Sequence, residues 1–254
     1  MELKLQMFLI VCPLIFLAGI VDSIAGGGGL ISLPAYLIAG LPPHFAIGTN
    51  KLSSAVGTTV STARYCKNKF VDWGVAIPSI ILALLGSAIG ANIALLIDEK
   101  VMKYTLIIIL PVIAFYVLKG KTIKKENAEE PISRKKVYVI ACLASFFVGA
   151  YDGFYGPGTG SFLILIYTGL AKMDIKKAAG NTKLVNLSSN IAALVTFIIN
   201  GKIFFLLGIT AAVFSVAGHY IGSGLVIKNG HKVIRPIILI VLALLFIKVI
   251  ADRS

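Results

Sequence analysis

The sequence predicts an all-α integral membrane protein made of two homologous halves, and three observations support this fold class. Of its 254 residues, 57% are hydrophobic and only 14% are charged, whereas soluble domains carry about 25% charged residues. Runs without any charged residue, such as 5–21, 74–97 and 203–227, reach the length of about 17–25 residues that a helix needs to cross a bilayer. The third observation is an internal repeat.

The repeat is visible in residues that recur at a fixed distance along the chain. Four positions of the first half recur 130 residues later: Gly19, Asp22, Gly26 and Gly28 match Gly149, Asp152, Gly156 and Gly158. Further along, the distance becomes 132 residues, and Gly48, Lys51 and Leu52 match Gly180, Lys183 and Leu184. A register held over so long a stretch indicates an internal duplication, which is common in transporters.

Each half is predicted to contain four long helices and one short half-helix. The segments are 5–24, 29–39, 43–64, 73–97 and 101–118 in the first repeat (residues 1–118), and 137–154, 160–170, 174–200, 203–228 and 233–251 in the second repeat (residues 137–254). The polar linker 119–136 separates the repeats. The segments 29–39 and 160–170 would form about 17 Å of helix, which is too short for a hydrocarbon core of about 30 Å. Neighbouring helices are therefore expected to shield them.

The distribution of cationic residues predicts the orientation. With Lys51 and Lys183 set aside as intramembrane residues, the remaining Lys and Arg divide 16 to 6 between the two sides if all ten segments cross, and 14 to 8 if the short segments do not. Cytoplasmic loops carry the excess of cationic residues, which favours ten crossings and places the linker in the cytoplasm in both arrangements. Five crossings per half would make the repeats inverted.

The formal net charge of +13 has the same origin. It is attributed to cytoplasmic loops rather than to nucleic-acid binding. The three cysteines are scattered, and His44 and His219 have no other metal-ligand residues at a suitable spacing. No disulfide framework, metal site or cofactor is therefore predicted, and both histidines are interpreted as structural or interfacial.

Two glycine-rich turns lead directly into the short segments. A helix that starts after such a turn presents free backbone N–H groups and the positive end of its dipole, which favours anion binding. Neither turn ends in the Gly-Lys-Ser/Thr sequence of a nucleotide-binding loop. The alternative is that the glycines only let helices pack closely. The candidate anion-binding residues of these turns are Gly26, Gly27, Gly28, Gly29, Gly156, Gly158, Thr159 and Gly160.

Two lysines occur inside apolar segments, each beside an amide and a hydroxyl. A charged residue deep in a membrane helix costs about 2.5–3.5 kcal/mol on insertion scales and usually faces a cavity. Ammonium, amide and hydroxyl groups together suit a small oxyanion. The alternative is that each lysine extends to the membrane surface from a helix start. The candidate substrate-binding residues are Thr49, Asn50 and Lys51 in the first half and Asn181, Thr182 and Lys183 in the second.

Asp22 and Asp152 lie at the predicted C-terminal end of the first helix of each half. The negative end of the helix dipole and the apolar neighbours would favour the protonated acid. With few polar partners expected, each carboxyl is a candidate for proton coupling. The alternative is that both aspartates only cap the glycine turns.

The motifs together resemble one known family. GIVDSIAGGGGLISLPAYLIAGLPPHFAIGTNKL, residues 19–52, closely resembles the first-repeat signature of the TauE/SafE family of membrane proteins, also called the sulfite exporter family. A second copy, with GAYDGFYGPGTGSF and AGNTKLVNLSSNIAAL, occupies the place of the family's second repeat, although Asn181 and Thr182 stand in the reverse order of Thr49 and Asn50. The resemblance implies export of sulfite or related sulfur-containing anions, but family members differ in substrate.

The sequence therefore predicts a multi-pass protein of the cell membrane that exports a small anion, with proton coupling as an added hypothesis. Its expected partners are the anion and the lipid bilayer, and the oligomeric state is left open, a homo-oligomer included. An anion channel of the same architecture is a rival interpretation, because channels use similar binding groups. A membrane-embedded enzyme is disfavoured, because the chain has only three histidines and three scattered cysteines.

The charge distribution yields a topology prediction. In a cysteine-free background, single cysteines in the 119–136 linker and at Ser254 should be labelled from opposite faces of the membrane, with the linker labelled from the cytoplasm, because only ten crossings give the 16 to 6 charge split. Labelling with a membrane-impermeant thiol reagent in intact cells and in inverted vesicles measures this. Labelling of both cysteines from the same face would establish eight crossings instead.

Overall fold

The computed structural model describes residues 4–98, 101, 132–230, 232–238 and 240, which form only helices and the loops between them. The helices are α1 (Leu5–Ala25), α2 (Gly29–Ile38), α3 (Pro43–Lys67), α4 (Trp73–Leu96), α5 (Arg134–Phe154), α6 (Thr159–Gly169), α7 (Ile175–Ile199) and α8 (Phe205–Asn229), and residues 232–238 are also helical. The predicted segment 101–118 beyond Val101, most of 233–251, and the linker up to residue 131 lie outside the described residues.

The described helices agree with the predicted segments, with two extensions. Helix α3 continues to Lys67 rather than ending at residue 64, and α5 begins at Arg134 rather than at residue 137. Both extensions add cationic residues, Lys67 at the end of α3 and 134–136 at the start of α5. At the end of α3, Arg64 and Lys67 lie in the last turn, where cations interact favourably with the helix dipole.

Five of the described helices, α1, α4, α5, α7 and α8, are long and apolar enough to cross a membrane. Helix α3 has 25 residues, roughly 38 Å at 1.5 Å per residue, but its many serine, threonine and asparagine residues make it too polar to meet the same criterion. The short helices α2 and α6 have 10 and 11 residues. This confirms the prediction of a half-helix after each glycine-rich turn.

The two halves interleave rather than packing as separate bodies. The most extensive helix pairs are α4 with α5 and α1 with α8, and each joins one half to the other. These two pairs are equivalent in the repeat, as are the next pairs, α3 with α8 and α4 with α7. Helices α3 and α7, which carry the two intramembrane lysines, also contact each other. One apolar core contains residues of both halves, including Ile15, Leu33, Ile164 and Leu207.

Small residues let these helix pairs approach closely. A Cβ atom added at Gly90 of α4 would lie 2.8 Å from the carbonyl carbon of Ala150 on α5. At the matching position on α8, a Cβ atom at Gly222 would lie 3.1 Å from the Cα of Ile20 on α1. At Gly90 the neighbours are backbone atoms, and at Gly222 they are backbone atoms of Ile20 together with the hydroxyl of Ser23; backbone cannot move aside as a flexible side chain can. Such contacts are typical of helix interfaces in membranes, where small residues allow close van der Waals packing.

We therefore expect Gly90→Ala and Gly222→Ala each to lower the free energy of unfolding by about 1–3 kcal/mol through overpacking. Gly224→Ala on α8 is the matched control, because the atoms nearest to its added Cβ belong to the guanidinium of Arg64, a mobile group. Thermal unfolding of the purified variants in detergent measures the difference. Equal stability of all three variants would show that the close approach is not a constraint on the fold.

Candidate functional site

Both intramembrane lysines are buried and ion-paired. On α3, the Nζ atom of Lys51 lies 2.8 Å from Oδ2 of Asp152 on α5. On α7, the Nζ atom of Lys183 lies 2.8 Å from Oδ2 of Asp22 on α1 and also donates to the backbone carbonyl of Asp22. The two lysines are each 1% exposed, so neither extends to a surface as the alternative interpretation required.

The ion pairs cross between the repeats. Lys51 of the first half binds the aspartate of the second half, and Lys183 of the second half binds the aspartate of the first. Because Lys51 matches Lys183 and Asp22 matches Asp152 in the repeat, each half supplies the lysine of one ion pair and the aspartate of the other. The expectation that the carboxyls would have few polar partners is wrong. It considered each helix end alone, whereas the partner comes from the other half of the chain.

The first ion pair, Lys51–Asp152, is completed by hydroxyl groups. Ser189 of α7 donates to Oδ2 of Asp152 at 2.7 Å, and Thr159, the first residue of α6, donates to Oδ1 at 2.9 Å. Three donors therefore satisfy this carboxylate, which is 3% exposed. A buried charge is tolerated when it is both paired and hydrogen-bonded in this way.

The second ion pair, Lys183–Asp22, is completed by an imidazole instead. The Nε2 atom of His219 on α8 lies 3.1 Å from Oδ2 of Asp22, and its Nδ1 atom lies 2.9 Å from the carbonyl oxygen of Ser215. From the sequence, His219 is assigned a structural or interfacial role, and this contact with the candidate proton-coupling group is not predicted. The signal in the sequence was a difference between the repeats, since Ser87 stands at the position that matches His219.

The two glycine-rich turns meet each other at the centre of the protein. The amide of Gly160 donates to the carbonyl oxygen of Gly26 at 3.1 Å, and the hydroxyl of Ser161 donates to the carbonyl oxygen of Ala25 at 2.7 Å. Close packing, the alternative role of the glycines, therefore does apply at Gly26 and Gly160. The start of α6 is partly occupied by protein acceptors. Gly28 and Gly29 at the start of α2 line a cavity, but they also pack closely against the backbone of Ala18 and Pro157.

A cavity of about 310 Å³, counting the space open to solvent, lies beside the first ion pair. We call it the central cavity. Its wall combines one ammonium group with carboxylates, amides, hydroxyls and glycine backbone. The lining residues are Asp22, Gly26, Gly29, Asn50, Lys51, Ser54, Asp152, Gly156, Thr159, Asn186 and Asn190. Almost all of these groups are polar, and they come from both repeats.

A second cavity of about 220 Å³, counted in the same way, lies beside the second ion pair. This side cavity shares Asp22, Gly29 and Ser54 with the central cavity and is also lined by His219 and Ser32. The hydroxyl of Ser32 is buried and has no hydrogen-bond partner among the described residues. Ser32 lies in the first turn of α2, so its hydroxyl is a hydrogen-bond donor beside this cavity.

The structure brings together part of the predicted site. Of the predicted substrate-binding residues, those that line at least one cavity are Gly26, Gly28, Gly29, Asn50, Lys51, Gly156 and Thr159. Both aspartates do so as well. The remaining predicted residues lie outside the lining of both cavities: Gly27, Thr49, Gly158, Gly160, Asn181, Thr182 and Lys183. Lys183 still reaches the wall indirectly, through Asp22.

Thr49 shows why a polar residue next to Lys51 in the sequence need not line the cavity. Its hydroxyl accepts a hydrogen bond from the amide of Phe204 at 3.1 Å, so it faces the start of α8. Neighbours in sequence point to different sides of a helix, whereas residues three or four positions apart share a face. Ser54, one turn after Lys51, accordingly lines both cavities.

Comparisons with known proteins all point to membrane transporters. The family model described as sulfite exporter TauE/SafE matches residues 11–249. The chain is 36% identical to "Probable membrane transporter protein YfcA" of Escherichia coli (strain K12), over 93% of this chain and 87% of that protein. It is 35% identical to "Probable membrane transporter protein ORF9" of a Sinorhizobium species, over 94% and 90%. It is 32% identical to a "Probable membrane transporter protein" of Haemophilus influenzae, over 100% and 98%. No solved structure matches the chain significantly.

The crossed ion pairs make a prediction about coupling between the halves. We expect Lys51→Ala to lower the free energy of unfolding by about 3–5 kcal/mol, because Asp152 would remain as an unpaired buried charge. Adding Asp152→Ala should recover part of this loss, since the buried charge is then removed. Thermal unfolding in detergent of the two single variants and the double variant gives the coupling energy.

Lys67→Ala is the matched control for this experiment. Lys67 lies on the same helix as Lys51 but is exposed, and we expect its removal to change stability little. Strictly additive losses in the Lys51 and Asp152 variants would contradict a direct ion pair between the halves.

Proposed function

Because the chain belongs to the sulfite exporter TauE/SafE family, we propose that it is a membrane transporter that moves a small sulfur-containing anion, of the sulfite or organosulfonate type, outward across the cell membrane. The anion binds in the central cavity. The observation that carries the proposal is the position of Lys51, a buried cation on the wall of a cavity that is also lined by amides, hydroxyls, glycines and the carboxylates of Asp22 and Asp152.

The donors in the central cavity suit an oxyanion. Lys51 supplies an ammonium group, Asn50, Asn186 and Asn190 supply amide groups, and Gly29 places the positive end of the α2 dipole at the wall. Charge-assisted hydrogen bonds of this kind are about twice as strong as neutral ones. Sulfite and sulfonate groups carry three oxygen acceptors, which several converging donors can bind at once.

The carboxylate of Asp152 occupies the position that an anion would take. It accepts from Lys51, Ser189 and Thr159, and these same donors would bind a sulfonate oxygen equally well. The anion therefore competes with Asp152 for Lys51, and binding requires the carboxylate to move away or to lose its charge. This competition gives both aspartates a role in releasing the anion, and it keeps them as candidates for proton coupling.

The topology suits alternating access. In the proposed arrangement, the repeats 1–118 and 137–254 are inverted and joined by a cytoplasmic linker. The reciprocal pairing of α1 with α8 and of α4 with α5 supports a two-fold relation between the halves. Substrate sites of inverted-repeat transporters lie at the repeat interface near the bilayer midplane, and the central cavity takes its wall from both halves.

The test begins with purified protein in detergent and a panel of sulfite, thiosulfate, methanesulfonate, sulfate and acetate. A bound anion at about 100 times its Kd should stabilise the folded state by about 2.7 kcal/mol, and we expect the sulfur oxyanions to raise the unfolding temperature more than acetate. Both Lys51→Ala and Lys183→Ala should abolish this rise, the first by removing a direct ligand and the second by leaving Asp22 unpaired beside the cavity.

Flux measurements complete the test. Wild-type protein in liposomes should exchange the stabilising anion for the same anion trapped inside, a counterflow that a channel does not produce. Both lysine variants should lose this exchange, and Lys67→Ala should retain it. Normal stabilisation and normal exchange by both lysine variants, at normal expression, would contradict the proposed site.

A further inference from the structure

The two ion pairs are related by the internal repeat but differ in the groups that complete them. Asp152 accepts from two hydroxyls, those of Ser189 and Thr159. Asp22 contacts the imidazole of His219 at 3.1 Å. Hydroxyl groups do not titrate near neutral pH, whereas histidine does. The duplication has therefore produced one ion pair with an ionisable third member and one without.

The difference between the two ion pairs includes two pairs of positions that match in the repeat but carry different residues. At a distance of 132 residues, Gly57 matches Ser189 and Ser87 matches His219. A Cβ atom at Gly57 would lie 2.6 Å from Nδ1 of His219, so the glycine makes room for the imidazole. In the other half Ser189 occupies the matching space, and the smaller Ser87 donates to the carbonyl oxygen of Ser189 at 2.6 Å. A large residue is thus paired with a glycine in one half, and two serines are paired in the other.

The contacts of His219 favour a proton between it and Asp22. Its Nδ1 atom lies 2.9 Å from the carbonyl oxygen of Ser215 and 3.3 Å from the hydroxyl of the same residue. A carbonyl oxygen can only accept, and because its contact is the shorter of the two, we assign a hydrogen to Nδ1. The Nε2 atom then faces Oδ2 of Asp22 at 3.1 Å and the hydroxyl of Thr58 at 3.4 Å. Two lone pairs would repel at the distance to Asp22, so either His219 is the cation or Asp22 is the protonated acid.

Among the described residues, no charged group other than Asp22 contacts the imidazole of His219. Helices α1 and α3 pack against α8. From α3, Arg64 donates to the carbonyl oxygen of Tyr220 and lies over the Tyr220 ring, and the hydroxyl of Tyr65 donates to the carbonyl oxygen of Ser23 at 2.7 Å. From α7, Lys183 reaches the cluster through Asp22. The exchangeable proton is therefore shared by His219 and Asp22.

This proton sets the net charge of the cluster. With Lys183 charged and one proton shared by Asp22 and His219, the cluster carries one net positive charge. When that proton leaves, the charges of Lys183 and Asp22 cancel. The other cluster, Lys51 with Asp152, is neutral and has only hydroxyls as further members. Asp22 lines both cavities, so its charge acts directly on an anion in the central cavity.

We propose that the Asp22–His219–Lys183 cluster binds one proton that moves together with the anion, whereas the Asp152–Lys51 ion pair carries none. This inference rests on the proposed anion transport. It identifies His219 as the residue that links transport to the proton gradient, and it assigns the coupling to the first-half aspartate alone. Anion binding and proton binding favour each other, because each neutralises the charge left by the other.

The decisive variant is Gly57→Ser combined with His219→Ser, which places serines at the positions that match Ser189 and Ser87 and removes the imidazole. Wild-type protein in liposomes with a pH-sensitive dye inside should move protons in the same direction as thiosulfate or methanesulfonate. Both probes stay ionised near neutral pH and therefore carry no proton of their own. In the double variant we expect proton movement to fall to background while anion flux persists at a reduced rate. His44→Gln is the control, because His44 lies away from both cavities, contacts the carbonyl oxygen of Ala94, and should keep both fluxes.

A spectroscopic measurement tests the proton site without transport. In protein labelled with ¹⁵N-histidine, the His219 signal, identified by its loss in His219→Gln, should show hydrogens at both ring nitrogens or a hydrogen shared with Asp22. In Asp22→Asn this shared hydrogen should be lost. A neutral wild-type imidazole with a bare Nε2 atom would overturn the inference.

The outcomes separate the inference from the proposed function. Movement of either probe anion by the wild type without any proton would refute the coupling cluster and leave anion transport standing. Proton movement that persists in the Gly57→Ser/His219→Ser variant would also refute it. Failure of the wild type to move either anion would overturn both proposals.

Discussion

The need to pair buried charges governs the centre of this protein. An ammonium group in an apolar interior is tolerated only with a carboxylate and further hydrogen bonds, and both lysines are 1% exposed. Lys51 on α3 finds its carboxylate on α5, and Lys183 on α7 finds its carboxylate on α1. The two halves must therefore interleave. Either half alone would leave both an unpaired lysine and an unpaired aspartate in its interior.

The close helix packing serves the same pairing. Helix α1 can present Asp22 to α7 only if it lies against α8, and α5 can present Asp152 to α3 only if it lies against α4. Gly222 and Gly90 allow these two approaches at matching positions. The glycine-rich turns extend the same arrangement, since Gly26 and Gly160 meet across the centre. Small residues, which supply no polar chemistry themselves, thus determine where the charged groups meet.

Local patterns in the sequence predicted most of the fold and only part of the site. Apolar runs and glycine turns located α1 and α2 to within a residue, because these signals depend on neighbouring positions. The ion pairs join residues 101 and 161 positions apart, so no local pattern revealed which aspartate each lysine binds. His219 was missed for the same reason, although comparison of the two repeats, with Gly57 and Ser87 at the matching positions, contained the signal.

A duplicated protein begins with two equal charge clusters. Here the clusters differ, because Gly57 stands where the other half has Ser189, and His219 stands where the other half has Ser87. The cluster with His219 holds one positive charge more than the cluster with Ser189 when its proton is bound. If that proton travels with the anion, the loaded centre is electrically neutral for a monoanion and negative by one charge for a dianion. Because an uncompensated charge in an apolar interior is costly, this balance favours a monoanionic sulfonate or hydrogen sulfite over sulfate. The same divergence that confines the proton to one half would thereby also restrict the charge of the substrate.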